Sequence, residues 1–271
     1  MGVTPAHLLR LLAWNCHHGA VSSRLADVAV LSPDVAFLQE CLPPRRDVAP
    51  ARSVTPGTVT RPSTVTPGTN TPGVITRVVG PRKSVALCAA NPAFTLEALP
   101  RPRHVSRASL AAAVTGPVAF NVIGVWAQGA NYAADVLRTI RAYRRVIRSG
   151  PTVIMGDFNI GADLRPTDAR PAEERPPNQP APLSRGHAAV LDLCASLNLV
   201  SAYHAFHRVD HGRETHATYR HLFNAARPWH IDFCFVPQPW ANRITSVTLA
   251  DDDTWNATSD HHPLMVEIEI D

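Results

Sequence analysis

The sequence predicts a single α/β domain, and three observations lead to this prediction. Short apolar runs typical of strands recur in both halves of the 271-residue chain. Segments with helical spacing lie between several of them, and no change in composition marks a linker. At about 150 residues per domain, the length allows one large domain or two small ones, and the even pattern favours one. No run of 18 apolar residues occurs, so no membrane span is predicted.

The N-terminal segment predicts a strand–helix–strand unit. Residues 8–14 and 34–39 are short and apolar, as buried strands are. Between them, apolar residues recur at helical spacing over 25–31, and Ser22 or Ser23 is expected to cap this helix.

The following segments alternate between groups of strands and single helices. Further strands are predicted at 74–79, 84–89, 93–99, 108–114, 118–126, 152–156, 231–236, 244–249 and 264–270. Helices are predicted at 132–149, capped by Asn131 and ended by Gly150, and at 187–198. Successive strands without helices between them indicate antiparallel pairing.

Two proline-rich segments interrupt this pattern. The first, at about 43–73, contains VTPGT twice and shows no apolar periodicity, which predicts a Thr/Pro-rich inserted loop. The second lies at about 163–186. Each is expected to be a surface insertion or, alternatively, a lid over a substrate.

Charge is mildly basic, with a formal net charge of +4 and a pI of about 9.0. Of the 26 basic residues, only Lys83 is a lysine, and we attribute the arginine bias mainly to the base composition of the gene. The balance is compatible with a polyanionic substrate, although no block of one charge sign identifies it.

The five cysteines have no CxxC spacing, so neither a zinc knuckle nor a disulfide framework is predicted. The N-terminus lacks the apolar run of a signal peptide, and we expect a cytoplasmic protein. His204, His207, His211, His216 and His221 match no zinc-ligand template, so their spacing predicts no zinc site.

Five short polar segments stand at the ends of predicted strands, where α/β folds place their sites. They are Trp14–Cys16, Leu38–Glu40, Gly156–Asn159, His230–Phe233 and Ser259–His262. Any one of them is typical of a turn, but five together are hard to attribute to turns.

The residue types in these segments are suited to phosphoester chemistry. Glu40 and Asp260 offer the hard oxygen ligands that Mg²⁺ prefers, and Asn15 offers a neutral oxygen. Asp157 is suited to orienting or deprotonating a water molecule, and Asn159 offers an amide donor to a phosphate.

A second pair of residues is suited to stabilising charge. A protonated His261 can bind a phosphate oxygen, and Asp232 can hold its ring. No Ser or Cys nucleophile with an obvious base and no Gly-rich phosphate loop is present in the sequence, which excludes kinase and P-loop chemistry.

The order WNC, LQE, GDFN, HIDF, SDHHP resembles the endonuclease/exonuclease/phosphatase superfamily, which includes deoxyribonuclease I and exonuclease III-type enzymes. The motifs span residues 14 to 263, and GDFN followed by SDHHP is the most specific pair. The resemblance implies a four-layer α/β sandwich, in which two packed, mostly antiparallel β-sheets are flanked by helices. It also implies in-line attack of water on a phosphoester, with Mg²⁺ (or Mn²⁺ substituting) and no covalent intermediate.

Carried over to this sequence, the resemblance implies a role for each matching residue. The implied metal-site residues are Asn15, Glu40 and Asp260, and the implied catalytic residues are Asp157, Asn159, Asp232 and His261.

Three positions near these motifs have two interpretations each. Trp126 occupies the place where family members commonly carry His or Tyr, and it is expected either to contact the substrate or to be a core residue. His17 and His18 follow Asn15 directly, and they are expected either to contact phosphate or to lie in an exposed loop.

Three functions remain open from the sequence. The first is a divalent-metal-dependent phosphodiesterase on nucleic acid, most simply a DNA endonuclease, with no membrane and no obligate protein partner. The second is a phosphatase or phosphodiesterase for a small phosphorylated metabolite or a lipid head group. The third is a nucleic-acid-binding relic without activity, against which the retained acidic residues and histidines argue.

Overall fold

The protein is described by a computed structural model that covers residues 7–43, 73–165 and 180–270. The strands are β1 His7–Asn15, β2 Val35–Cys41, β3 Val74–Gly80, β4 Lys83–Ala89, β5 Thr95–Ala98, β6 Ser109–Thr115, β7 Phe120–Val125, β8 Thr152–Asp163, β9 Leu199–Ser201, β10 Tyr219–Arg220, β11 Pro228–Pro237, β12 Ile244–Leu249 and β13 Leu264–Ile270. The helices are α1 Val21–Ala29, α2 Tyr132–Ala142, α3 Arg144–Ser149, α4 His187–Ala195, α5 Ala202–His207 and α6 Asp253–Thr258. Short 3₁₀ segments lie at His221–Phe223 and Gln238–Arg243.

The strands form two sheets that are mixed but mostly antiparallel. The first sheet has the order β12-β13-β1-β2-β4-β3, and the second has the order β10-β11-β8-β7-β6-β5, with β9 also pairing with β11. The parallel pairs are β1 with β2, joined through α1, and β7 with β8, joined through α2 and α3. The N-terminal strand–helix–strand prediction is therefore confirmed.

Three apolar clusters define four layers. The largest lies between the sheets and includes Leu11 and Phe37 from the first sheet and Val122 and Met155 from the second. Because side chains alternate along a strand, each sheet presents a second apolar face on its outer side. Helices α2 and α4 cover the outer face of the second sheet, and α1 and Trp255 of α6 cover that of the first. The predicted four-layer sandwich is confirmed.

Several element boundaries differ from the predicted ones. The predicted helix at 132–149 is divided at Tyr143, a buried residue whose ψ of 9° leaves the helical region. Its predicted cap is correct, since Asn131 Oδ1 accepts a hydrogen bond from the backbone N–H of Ala134 at 3.0 Å. Helix 187–198 ends at Ala195.

The predicted cap of α1 is wrong. The residue before the helix is Ala20, and Ser22 and Ser23 lie inside the helix. Ala20 makes an isolated β-bridge with Leu42, which fixes the backbone so that the helix begins directly afterwards.

The two proline-rich segments lie mostly outside the described residues. Of the predicted loop at 43–73, residues 44–72 are not described, and of the segment at 163–186, residues 166–179 are not described. No helix among the described residues is long and apolar enough to cross a membrane.

Candidate active site

The polar segments at the strand ends converge on one site. Asn15 and Glu40 lie at the ends of the parallel neighbours β1 and β2, and Asp157 of β8 is directly opposite Asp232 of β11. His261 precedes β13 and lies between the two aspartates. The structure thus brings together residues that are up to 246 positions apart in the sequence.

Asn15 links the two sheets. Its side-chain Nδ2 donates to Asp157 Oδ2 at 3.1 Å and is 3.4 Å from Glu40 Oε1. Its Oδ1 accepts from the backbone N–H of His17 at 3.3 Å. The amide is therefore oriented by the fold, and it fixes the distance between a carboxylate of each sheet.

Asp157 is held in place by the residues of its own motif. Oδ1 accepts from the backbone N–H of Asn159 at 2.8 Å, and Oδ2 accepts from Asn159 Nδ2 at 3.1 Å. Gly156 has a φ of +133°, and an added Cβ would lie 2.2 Å from the carbonyl oxygen of Val125. A side chain at position 156 would therefore displace the strand that carries Asp157.

Asn159 also donates from Nδ2 to the carbonyl oxygen of Ala127 at 3.2 Å. Its amide is thus occupied with supporting Asp157, and the expected contact with a phosphate stays a prediction. Asn159 and Glu40 have φ values of 52° and 57°, in the left-handed region. Strained backbone of this kind is typical of functional sites.

Asp232 and His261 form a buried pair. His261 Nδ1 donates to Asp232 Oδ2 at 2.9 Å, while His261 Nε2 is 3.9 Å from Asp157 Oδ2. Burial alone would lower the pKa of His261, but the charges of Asp232 and Asp157 raise it to about 9. His261 is therefore a cation at neutral pH, with its Nε2–H directed toward Asp157.

The backbone around this pair is fixed by side-chain hydrogen bonds. Thr218 Oγ1 accepts from the backbone N–H groups of Ile231 and Asp232 at 2.9 and 3.0 Å, where β11 has a register shift. Ser259 Oγ donates to the carbonyl oxygen of Asn15 at 2.7 Å and accepts from His261 N–H at 3.0 Å. A bulge beside a site can re-aim a side chain, as it does for Asp232 here.

Burial raises the pKa of Asp157 to about 7, and the nearby charge of Asp232 adds to this effect. The positive charge of His261 and the hydrogen bond from Asn15 oppose it. A carboxyl group with a pKa near 7 is suited to accept a proton at neutral pH.

The mouth of the site is lined by two histidines with positive φ, His17 and His18. His17 Nδ1 is 3.3 Å from Asp260 Oδ1, and His18 Nε2 is 3.9 Å from Glu40 Oε2. Both side chains are partly exposed, at 35% and 44%. They lie at the site as predicted, and their contact with a phosphate stays a prediction.

Trp126 is 2% exposed and packs in the cluster between the sheets. The ammonium group of Lys83 lies 5.1 Å from the centre of its ring and forms an ion pair with Glu40 Oε2 at 2.7 Å. Trp126 thus supports the cation beside Glu40, and its direct contact with a substrate stays a prediction.

Sequence reasoning missed several residues of the site. Lys83 is the only lysine in an arginine-rich chain, which was a usable signal for a position that requires a compact ammonium group. Tyr219 packs on the ring of His261 at 4.3 Å between centroids, and burial raises the pKa of its hydroxyl to about 12. Thr218 and Ser259 act through backbone groups, and their sequence gives no signal of that.

The residues present fit a divalent cation. The carboxylate oxygens of Asp157 and Asp232 lie within 4.8 Å of each other, and Asp232 Oδ1 is buried without a hydrogen-bond partner among the described residues. Glu40 and Asp260 add two more carboxylates, whose side chains are 17% and 7% exposed, and the two cations nearby are Lys83 and His261. The excess of buried hard oxygen ligands is the donor set that Mg²⁺ or Mn²⁺ takes.

Comparisons with known proteins give one family and several structural relatives. The model of the Endonuclease/Exonuclease/phosphatase family matches residues 12–261. A search of curated proteins gave no match. An AP endonuclease from Archaeoglobus fulgidus is similar in structure, with a TM-score of 0.62, 15% identity and coverage of 96% of this chain and 99% of that one.

Two structures from Neisseria have the same coverage of 96% and 99% and 19% identity. One is a 3′–5′ exonuclease from Neisseria meningitidis, with a TM-score of 0.59. The other is a 3′ phosphatase bound to a product DNA hairpin, with a TM-score of 0.58. At these identities the similarity shows a shared fold.

Proposed function

The chain belongs to the endonuclease/exonuclease/phosphatase family, and from that premise we propose that it hydrolyses phosphodiester bonds in DNA with the aid of Mg²⁺. Family membership and the acidic cluster support metal-dependent phosphoester hydrolysis as the general activity. The DNA substrate and the choice of Mg²⁺ over Mn²⁺ are the finer parts of the proposal.

The cation would be held by Glu40 and Asp260, with Asn15 as a neutral oxygen ligand. When bound, it would neutralise charge on the phosphate in the transition state. Asn15 contacts both Glu40 and Asp157, so the metal site and the proton acceptor have a fixed separation.

Asp157 is the proposed acceptor of the proton from the attacking water. Its two oxygens are oriented by Asn15 and Asn159, and its pKa of about 7 allows it to be ionised near neutral pH. The rate is therefore expected to rise with pH as Asp157 ionises. A bound cation would favour the ionised form and move this rise to lower pH.

His261 is the proposed donor to a phosphate oxygen. Its Nε2 lies 3.9 Å from Asp157 Oδ2, and Asp232 holds the ring through a hydrogen bond from Nδ1. Because His261 must stay protonated to act in this way, the rate is expected to fall above its pKa of about 9.

The observation that most supports a nucleic-acid substrate is a groove next to the site. It has a volume of about 350 Å³, shares Asn159 and Tyr219 with the site, and is lined by Arg165, Arg227 and Trp229. Arg165 pairs with Asp163 and lies over the ring of Trp229 at 5.4 Å. Arg227 is therefore the arginine of this groove that we expect to bind a phosphate, since guanidinium groups bind phosphates bidentately. An AP endonuclease, a 3′–5′ exonuclease and a 3′ phosphatase bound to a product DNA hairpin are among the structural relatives, which supports a DNA substrate.

A second feature, at the mouth of the active site, is suited to contact with a base-paired or an unstacked nucleic-acid strand. Leu222 and Phe223 are 69% and 44% exposed and have left-handed φ values of 54° and 61°. Phe223 packs edge-on against His17, at 5.1 Å between centroids. Apolar side chains that project beside a phosphate site are suited to insertion between bases.

The reducing cytoplasm is the proposed location. Cys16 and Cys41 are free, and their Sγ atoms are 3.7 Å apart. Two thiols at that separation are compatible with a compartment that keeps them reduced.

A substrate panel tests the proposal. Plasmid, single-stranded, abasic and 3′-phosphorylated DNA, RNA and small phosphoesters are each incubated with Mg²⁺, Mn²⁺ or EDTA. We expect metal-dependent cleavage of DNA whose binding weakens steeply with salt. Turnover of small phosphoesters alone would favour the metabolite enzyme, and binding of DNA without turnover on any substrate would favour the relic.

The groove has its own variant and control. Arg227→Gln is expected to raise the KM for DNA and to leave turnover of a small diester unchanged. Arg145→Gln, an exposed arginine on α3, is the control and should change neither. Equal effects of the two substitutions would argue against the groove as the DNA contact.

A further inference from the structure

A second group of titratable side chains lies behind β11 and shares no residue with the site described above. Its members are His187 of α4, His204 of α5, His211 and Glu214 of the segment that follows, and His230 of β11. The rings of His187, His204 and His211 surround Phe233, which belongs to the helix-covered cluster of the second sheet. Phe233 and Asp232 are neighbours on β11 and point to opposite faces, so the three histidines around Phe233 and the Asp232 side chain lie on different sides of the strand.

The group holds a carboxylate, Glu214, beside which the described part of the chain places no lysine or arginine partner. The side chain of Glu214 is 0% exposed. Its Oε2 accepts from the backbone N–H of Gly212 at 2.8 Å, and its Oε1 is 2.9 Å from His204 Nε2 and 3.8 Å from His211 Nδ1. A buried carboxylate is costly unless a cation balances its charge.

The histidines do not supply that cation. Burial lowers the pKa of His204 and of His211 to about 3, and the pKa of His187 and of His230 to about 4. The rings of His204 and His211 are stacked at 3.5 Å between centroids, which further disfavours charge on both. A neutral imidazole keeps one ring nitrogen whose lone pair can bind a metal ion.

Several of these nitrogens have no hydrogen-bond partner among the described residues. They are His187 Nδ1 and Nε2, His211 Nδ1 and His230 Nε2. His187 is 0% exposed, and its ring nitrogens have no partner among the residues that the structure describes. Unpaired buried polar atoms are rare, and a missing ion is one of their explanations.

We propose that His204 Nε2, His211 Nδ1 and Glu214 Oε1 bind a second metal ion, Zn²⁺, with His187 as the fourth ligand. The three atoms lie within 4.8 Å of one another. Zinc–nitrogen and zinc–oxygen bonds are about 2.0–2.2 Å, so the ligand atoms of a tetrahedral site are about 3.4 Å apart. The observed separations of 2.9 and 3.8 Å lie on either side of that value.

The residues behind the ligands have the arrangement that metal sites use. His204 Nδ1 is 2.8 Å from Ser201 Oγ, which orients the ring so that Nε2 faces the group. The backbone N–H of Gly212 occupies Oε2 of Glu214 and leaves Oε1 facing the same point. Such outer hydrogen bonds fix the tautomer and direction of metal ligands.

The ion would stabilise the segment that supports the phosphoester site. Residues 208–218 connect α5 to β10 and end at Thr218, whose hydroxyl accepts from the backbone N–H of Asp232. The carbonyl oxygen of Thr218 also accepts from His262 N–H at 2.8 Å. Zn²⁺ would anchor this segment to α4 and α5, and so would hold Thr218 in place.

Metal content tests the proposal directly. The protein is purified without a histidine tag or chelator, and bound metals are measured by mass spectrometry and by competition with a metallochromic dye. We expect one Zn²⁺ per wild-type chain, and loss of this ion in His211→Ala and in Glu214→Gln. Co²⁺ substituted into the wild type is expected to give the visible absorption of a tetrahedral site.

Two controls separate this ion from others. His207→Ala removes a histidine of α5 that is not among the ligands, and Glu40→Gln alters the phosphoester site; both variants should keep the Zn²⁺. Chelation should lower the unfolding temperature of the wild type but not of His211→Ala. Wild-type protein that takes up no stoichiometric Zn²⁺, or His211→Ala and Glu214→Gln variants that keep it, would overturn the proposal, whether or not the chain cleaves DNA.

Discussion

Replacing Asp232 with Asn removes the charge that keeps His261 protonated while preserving an oxygen acceptor for Nδ1–H, 2.9 Å away. Burial opposes the charge on His261, and the neighbouring carboxylates raise its pKa to about 9. Without Asp232 the pKa should fall to the ordinary histidine value of about 6.5 or lower. The protonated fraction would then drop about 30-fold at pH ~8 but less than about twofold at pH ~6.

The assay is kcat/KM for cleavage of a fluorogenic oligonucleotide as a function of pH, with Mg²⁺ in excess. Asp232→Asn should move the alkaline limb of the profile from about 9 to about 6.5 or below. His261→Gln is the control and should lack this limb altogether. An alkaline limb that stays in place in Asp232→Asn would refute the assignment of His261 as the cationic donor.

Three further substitutions test separate parts of the site. Glu40→Gln should weaken Mg²⁺ binding, and excess Mg²⁺ should partly restore its rate in a titration. Excess Mg²⁺ should not restore the rate of a variant that lacks the proton acceptor. Lys83→Met should lower the Mg²⁺ concentration for half-maximal rate by at least about twofold, since it removes a cation that competes for Glu40; an increase would contradict this. Trp126→Phe should reduce kcat/KM by about 10- to 150-fold if the indole donates to the substrate. A rate-neutral but destabilised variant would make Trp126 a core residue.

The layers of the fold could be predicted because they depend on local patterns. The apolar runs of β1 and β2 and the helical spacing between them specify a parallel pair joined by α1, which the structure contains. The limits of β8 could not be predicted in this way. This strand continues to Asp163 because it pairs with β11 as far as Trp229, and such pairing depends on a distant segment.

The acidic and histidine residues of the site could also be predicted, because they follow strands whose ends meet. Their exact partners could not. Thr218 acts through hydrogen bonds to the backbone of Asp232, and the role of Asn159 in orienting Asp157 depends on a left-handed backbone that its sequence permits but does not require.

The group around Glu214 shows the same limit more strongly. The spacing of His204 and His211 matches no zinc template, because the set combines a carboxylate with a histidine from α4, 17 positions before His204. Only the tertiary packing against Phe233 reveals that these side chains share one buried volume.

Cleavage of DNA by wild type and by Asp157→Asn, with and without Mg²⁺ and with the metal content of every sample measured, tests the central claim most directly. We expect cleavage only by the wild type with a divalent metal, and a kcat at least about 100-fold lower for Asp157→Asn at any Mg²⁺ concentration. Full activity in a sample that contains no divalent metal, or wild-type rates in Asp157→Asn, would contradict it.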